Sequence, residues 1–188
     1  MGIDISKLNA GDIFFSNDNS LLSKIIRYVE TGGKILNTKN IPSHTGIITD
    51  VYTINNRSYV NIIEATYTGV WKSTIDKYLK KNVRLWIARI KDPKNIEKGI
   101  SWAMSQQGRK YAFWQLGAIL ILALLRWTNA KMKRHKLLSQ LLDKRQKFIC
   151  SELVTIYSRQ VDHNIKEGDP NFLTPWDLFR SNEIMFIN

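Results

Sequence analysis

The sequence predicts one α+β domain, with short strands, two of them joined as a hairpin, and amphipathic helices set among them. Three observations carry this. Ile47 to Ile54 and Tyr59 to Ala65 are β-rich runs separated by the turn residues Asn55-Asn56-Arg57. Ile96, Ile100, Ala103 and Met104 recur at helical spacing behind Asp92-Pro93, an N-cap and first-turn proline. Leu153, Val154 and Tyr157 recur in the same way behind Cys150, the chain's single cysteine.

A length of 188 residues suits a single domain over 1–188 with a proper core. Apolar residues at 44% and charged residues at 23% are a globular composition, so disorder is not expected. One cysteine excludes an intramolecular disulfide. No set of Cys and His has structural-zinc spacing, and neither a metal nor a cofactor is called for. Met1 to Asn19 lacks a basic start followed by an apolar run, so the expectation is a cytoplasmic protein, with peripheral membrane contact as a further option. The net charge of +12 favours a polyanionic neighbour: nucleic acid, anionic lipid or wall polymer. The aromatic and glycine patterning of a nucleic-acid module is absent, and no specific nucleic acid is expected.

In chain order, Gly11-Asp12 reads as a turn into a buried strand at Ile13-Phe14-Phe15. Ser20 caps a helix whose apolar face is Leu21, Leu22, Ile25, Ile26 and Val29, ended by Gly32-Gly33. The hairpin follows, with His44 at the entrance of its first strand and Glu64 near the end of its second. Antiparallel pairing makes these two cross-strand neighbours. Gly69-Val70-Trp71 leads to a short helix around Ser73 to Lys80, Val83 to Ile90 is a strand, and Gly108 stops the Ile96 helix.

Tyr111 to Trp127 is nearly continuous in apolar residues, but Leu116 to Leu125 falls well short of the roughly 20 residues that span a bilayer, so a buried helix is expected. From Arg126 to Lys147 eight Lys and Arg face one acid, Asp143, around Leu137, Leu138, Leu141 and Leu142 at helical spacing. Such a basic amphipathic stretch can rest on an anionic membrane or wall polymer, or can be a solvated helical hairpin. After the Cys150 helix, with Ser151 and Glu152 as capping and acidic residues of its first turn, Leu173 to Leu178 reads as a loop and a short capped helix. Ile184 to Ile187 forms a last strand.

A cysteine at a helix N-terminus meets unpaired N–H groups and the positive end of the dipole, which favour thiolate. A lone cysteine can equally be a small buried apolar residue. A nucleophile needs a base, and the base an orienting group. Of His44, His135 and His163, only His44 stands where a sheet can fix it. Glu64, between Ile62-Ile63 and Ala65, is in an apolar setting where an unpaired charge is costly. Taken singly, His44 can be a loop residue and Glu64 a strand-end acid.

Ser43-His44-Thr45-Gly46-Ile47, Ile63-Glu64-Ala65 with Gly69-Val70, Phe148 to Val154 around Cys150, and Leu173 to Leu178 occur in an order that resembles the circularly permuted papain-like hydrolases of the NlpC superfamily, the YiiX-like group. The likeness runs from about residue 10 to 180. It implies a permuted papain-like fold, an antiparallel sheet packed against helices, with a helical insertion at about 111–147 before the cysteine helix. It implies Cys150 as nucleophile, His44 as general base and Glu64 as the group orienting His44, with Tyr111, Ser43 and Thr45 as substrate-binding residues and the backbone N–H of Cys150 stabilising the oxyanion. Relatives often carry Tyr-Asp where this chain has Tyr111-Ala112, and the basic leucine-rich stretch is a second departure. The reaction implied is acyl transfer to water on a peptide or amide bond, with an acyl-lipid bond as the alternative. The competing classes are a basic protein that binds an anionic polymer and a non-catalytic membrane-peripheral protein.

Overall fold

Asn55 and Asn56 both take left-handed backbone, φ 49° and 59°, the geometry of a tight turn whose twist matches its flanking strands, and they fold the expected hairpin. The computed structural model describes residues 3–17, 40–79, 83–111 and 147–187, together with Lys24. Its strands in chain order are β1 (Ile13–Asn17), β2 (His44–Ile54), β3 (Arg57–Thr66), β4 (Gly69–Thr74), β5 (Arg84–Ile90), β6 (Lys110–Tyr111), β7 (Lys147–Phe148) and β8 (Ile184–Ile187). The helices are α1 (Asp76–Leu79), α2 (Ile96–Ser105), α3 (Cys150–Gln160) and α4 (Pro175–Phe179). Six strands form one sheet in the order β4-β3-β2-β1-β5-β8, every neighbour antiparallel.

Each face of the sheet buries a separate apolar cluster, as strand alternation requires. One face carries Ile13, Phe15, Ile47, Ile63 and Ala88 against Leu153, Val154 and Tyr157 of α3, Ala103 of α2 and Leu178 of α4. The other carries Phe14, Ile48, Ile62 and Ile87 against Leu8, Ile75 and Tyr78, so the short α1 packs there. Helix α2 meets α3 through Gly99, where a Cβ would stand 2.4 Å from Val161 Cγ1. Phe179 of α4 meets Phe15 of β1 edge-on, with ring centroids 5.3 Å apart.

Three local expectations are corrected. Gly69–Thr74 is a strand, β4, and the described helix after it is Asp76–Leu79, starting after Ser73. Asp92 does not cap α2: it lies in a turn at φ 47°, and the helix starts only after Asn95, itself left-handed at φ 54° with no side-chain cap bond. Ile149 is the residue before α3, and Ser151 makes no capping bond. Glu152 alone supplies the cap, accepting from Ile149 N–H at 3.4 Å.

The expected helix at 20–33 and the apolar and basic stretch within 112–146 lie outside the described residues, apart from Lys24, which is helical. The ends of the second stretch are brought together by β6 and β7, which pair in parallel. No described helix is long and apolar enough to cross a membrane.

Candidate active site

His44 is the first residue of β2, paired with Ser16 of β1. From the turn, the hairpin register runs from Ile54↔Arg57 to Asp50↔Asn61, then shifts by one at an irregularity and continues as Ile48↔Ile62 and Ile47↔Ile63. The shift decides which face Glu64 occupies. Unshifted, Glu64 would oppose Ile47, whose side chain packs with α3. Shifted, it opposes Gly46, on the same face as His44, because a one-residue slip reverses every side chain beyond it. His44 and Glu64 are therefore diagonal neighbours across the two strands rather than directly opposed, with Gly46 between them. Gly46 lets the two side chains approach. A Cβ there would be 2.4 Å from the Phe14 ring and 2.8 Å from the Ile63 carbonyl oxygen.

Across that gap His44 Nε2 meets Glu64 Oε2 at 2.7 Å. The Glu64 side chain is 1% exposed, and an isolated carboxylate there would be costly. Four donors converge on it: His44 Nε2 and the Tyr78 hydroxyl on Oε2, and the Ser73 hydroxyl at 2.8 Å and the Lys77 ammonium on Oε1. Burial pushes its carboxyl upward, but His44 and then Lys77, by hydrogen bond and charge, outweigh burial and bring it down to about 2. The imidazole is braced from the side by Tyr78, stacked at 6.1 Å between centroids, and by Phe14 at 5.9 Å.

Cys150 enters from the other layer. It is the first residue of α3 and is buried, its helix held by Leu153, Val154 and Tyr157 in the core of the opposite face. It lies close enough to the His44 ring to act on it. Burial pushes His44 down, and Cys150 first, then Glu64, overcome it and raise the imidazole to about 10. Because Nε2 is engaged by Glu64, Nδ1 is the ring nitrogen left for the sulfur. Cys150, distant in sequence, thus stands near the hydrogen-bonded His44–Glu64 pair.

The remaining predicted residues are placed as follows. Thr45 is fully buried and donates its hydroxyl to the Phe14 carbonyl at 2.8 Å. Ser43 is buried beside His44, its hydroxyl without a partner among the described residues, as is that of Ser151 beside Cys150. The backbone of Tyr111 lies in β6, and its side chain is outside what is described. Sequence reasoning missed Ser73, Lys77 and Tyr78. The signal that called for them was Glu64 itself, an acid between apolar neighbours that needs donors. Nothing in the sequence says where those donors come from.

No family model matches the chain, and no curated protein matches it. Among solved structures it is similar to that of the metalloprotein YiiX from Escherichia coli O157:H7, with a TM-score of 0.55 and 15% identity over 96% of each chain. At that identity the likeness speaks to the fold alone: this chain has a YiiX-like α+β fold built on a six-stranded antiparallel sheet.

Proposed function

We propose that this protein is a cysteine hydrolase of the permuted papain-like kind, cleaving a peptide or amide bond through a thioester. The observation that carries the reading is the placement of Cys150 near the hydrogen-bonded His44–Glu64 pair. A buried carboxylate orients an imidazole at 2.7 Å, and that imidazole interacts with a cysteine on the first turn of a helix. This is the nucleophile, base and orienting group that acyl transfer needs.

In the proposed reaction Cys150 Sγ, its proton held by His44, attacks the carbonyl carbon, and the Cys150 backbone N–H, in the first turn where helical N–H groups lack intrahelical acceptors, faces the oxyanion. His44 gives its proton to the leaving amine as the C–N bond breaks, leaving an acyl thioester. Water then attacks the thioester and passes a proton to His44. The acid departs, and the sulfur regains its starting state. Glu64 stays ionised throughout and fixes the ring.

The similar structure is called a metalloprotein, but the donors here do not fit a metal centre. Both Glu64 oxygens already accept, one of them from an ammonium. His44 Nε2 is engaged, and among the described residues no group of three or more His, Cys, Asp or Glu is placed to hold an ion. The reading routes no step through one.

Iodoacetamide labelling tests it. Cys150 is expected to react near neutral pH well above the rate of an ordinary thiol, and His44→Ala to slow it at least tenfold. Ordinary rates in both proteins would remove the basis for the reading. Dipeptide amides screened beside acyl lipids against Cys150→Ala then fix the bond cleaved.

A further inference from the structure

The least expected member of the site is Lys77. Its ammonium bonds to Glu64 Oε1, on the oxygen opposite the one that holds His44, although its own side chain is about one-third exposed. A carboxylate 1% exposed and already accepting Ser73, Tyr78 and His44 needs no fourth hydrogen bond to be satisfied. Beyond a further hydrogen bond, Lys77 adds charge. Among the described residues, the titratable groups that face this cluster from the elements packed on it are Lys77 and Tyr78 of α1, Glu64 of β3, His44 of β2 and Cys150 of α3.

We propose that Lys77 is a positioning residue of this site, whose ammonium balances Glu64 and so limits how firmly Glu64 can hold a proton on His44. The inference rests on the His44–Glu64 part of the reading above and extends it to the regulation of the base. An imidazole facing an unbalanced buried carboxylate stays protonated to high pH and returns its proton slowly. With a second cation on the same carboxylate, imidazolium is less favoured and the base is free to cycle. Two like charges bridged by one carboxylate repel appreciably at the dielectric of a partly buried site, and Lys77's exposure screens part of the effect.

The test is an NMR titration of the His44 ring carbon-bound proton in full-length Cys150→Ala protein, which removes the sulfur and leaves Glu64, with Lys77 and Tyr78 bonded to it, beside the ring. Adding Lys77→Met is expected to raise the His44 midpoint by roughly one pH unit. Lys77→Gln, which keeps a hydrogen-bond donor but not the charge, is expected to do the same and serves if the Met variant does not fold. Lys77→Arg is expected to leave the midpoint near its starting value. A midpoint that stays put or falls in the neutral variants, or that rises equally in Lys77→Arg, would overturn the proposal. Because Cys150 is absent from this experiment, its outcome is independent of the labelling test of the hydrolase reading.

Discussion

At the scale of single residues, Glu64 is the side chain on which most depends. Its four donors make it both a structural knot joining β2, β3, β4 and α1 and the group that sets the charge of His44. Replacing it by Gln keeps the size but places an amide N–H against donors. The variant is expected to lose about 3 kcal/mol of stability at pH 7, the cost of leaving buried partners of a charge unmatched. The pH dependence is specific. Glu64's carboxyl is depressed in the fold to about 2 from an ordinary 4.5, so its contribution is present above about pH 4.5 and is lost as pH falls toward 2. Urea melts between pH 5 and 2 should therefore fall more steeply for the native chain than for Glu64→Gln. Parallel curves would mean that the carboxylate contributes little.

At the scale of elements, α3 is held at its start by a buried acid. Glu152 accepts from Ile149 N–H, and burial, with Asp169's charge nearby, pushes its carboxyl up to about 7 against that bond. A group raised in this way contributes most below its ordinary value of 4.5, and its contribution declines as pH rises through 7. Glu152→Gln keeps an oxygen for Ile149 and removes the charge, so it should melt higher than the native chain at pH 8.5 and nearly equal to it at pH 5. A lower melting temperature at pH 8.5 would show the charge to be stabilising there. The same element shows what a sequence can carry. The helix led by Cys150, the Asn55-Asn56 turn, and the capped α4, where Thr174 and Asp177 bond reciprocally, were legible because each is written in adjacent residues. Strand β4 was not legible, because it is an edge strand made β by pairing with β3 rather than by its own alternation. Nor was the register shift near Thr49, which nothing local marks and which alone puts Glu64 on the face of His44.

At the scale of the whole molecule, the sheet separates two cores, and the site draws on both. Cys150 is fixed by the core of α2 and α3, while His44 and Glu64 are fixed by the core of Phe14 and Tyr78. They meet around His44, the first residue of β2. Damage to either core should therefore be separable from damage to the junction, and two glycines allow the comparison. Gly99 lies between α2 and α3, where the nearest atoms to a new methyl group belong to the Val161 and Tyr157 side chains. Gly99→Ala should cost about 1–3 kcal/mol as overpacking, partly offset by about 1 kcal/mol of helix propensity. Gly46 lies between His44 and Glu64, where the methyl group meets the Phe14 ring and the backbone oxygen of Ile63, which cannot rotate away. Gly46→Ala should cost about 3 kcal/mol, the upper part of the same range, and should also displace the imidazole from its carboxylate. With Cys150 labelling corrected for the folded fraction, Gly99→Ala is expected to match the native rate and Gly46→Ala to fall at least tenfold below it. Equal rates in the two would mean that the sulfur's reactivity is set by its helix alone, with no contribution from the strand face that carries His44 and Glu64.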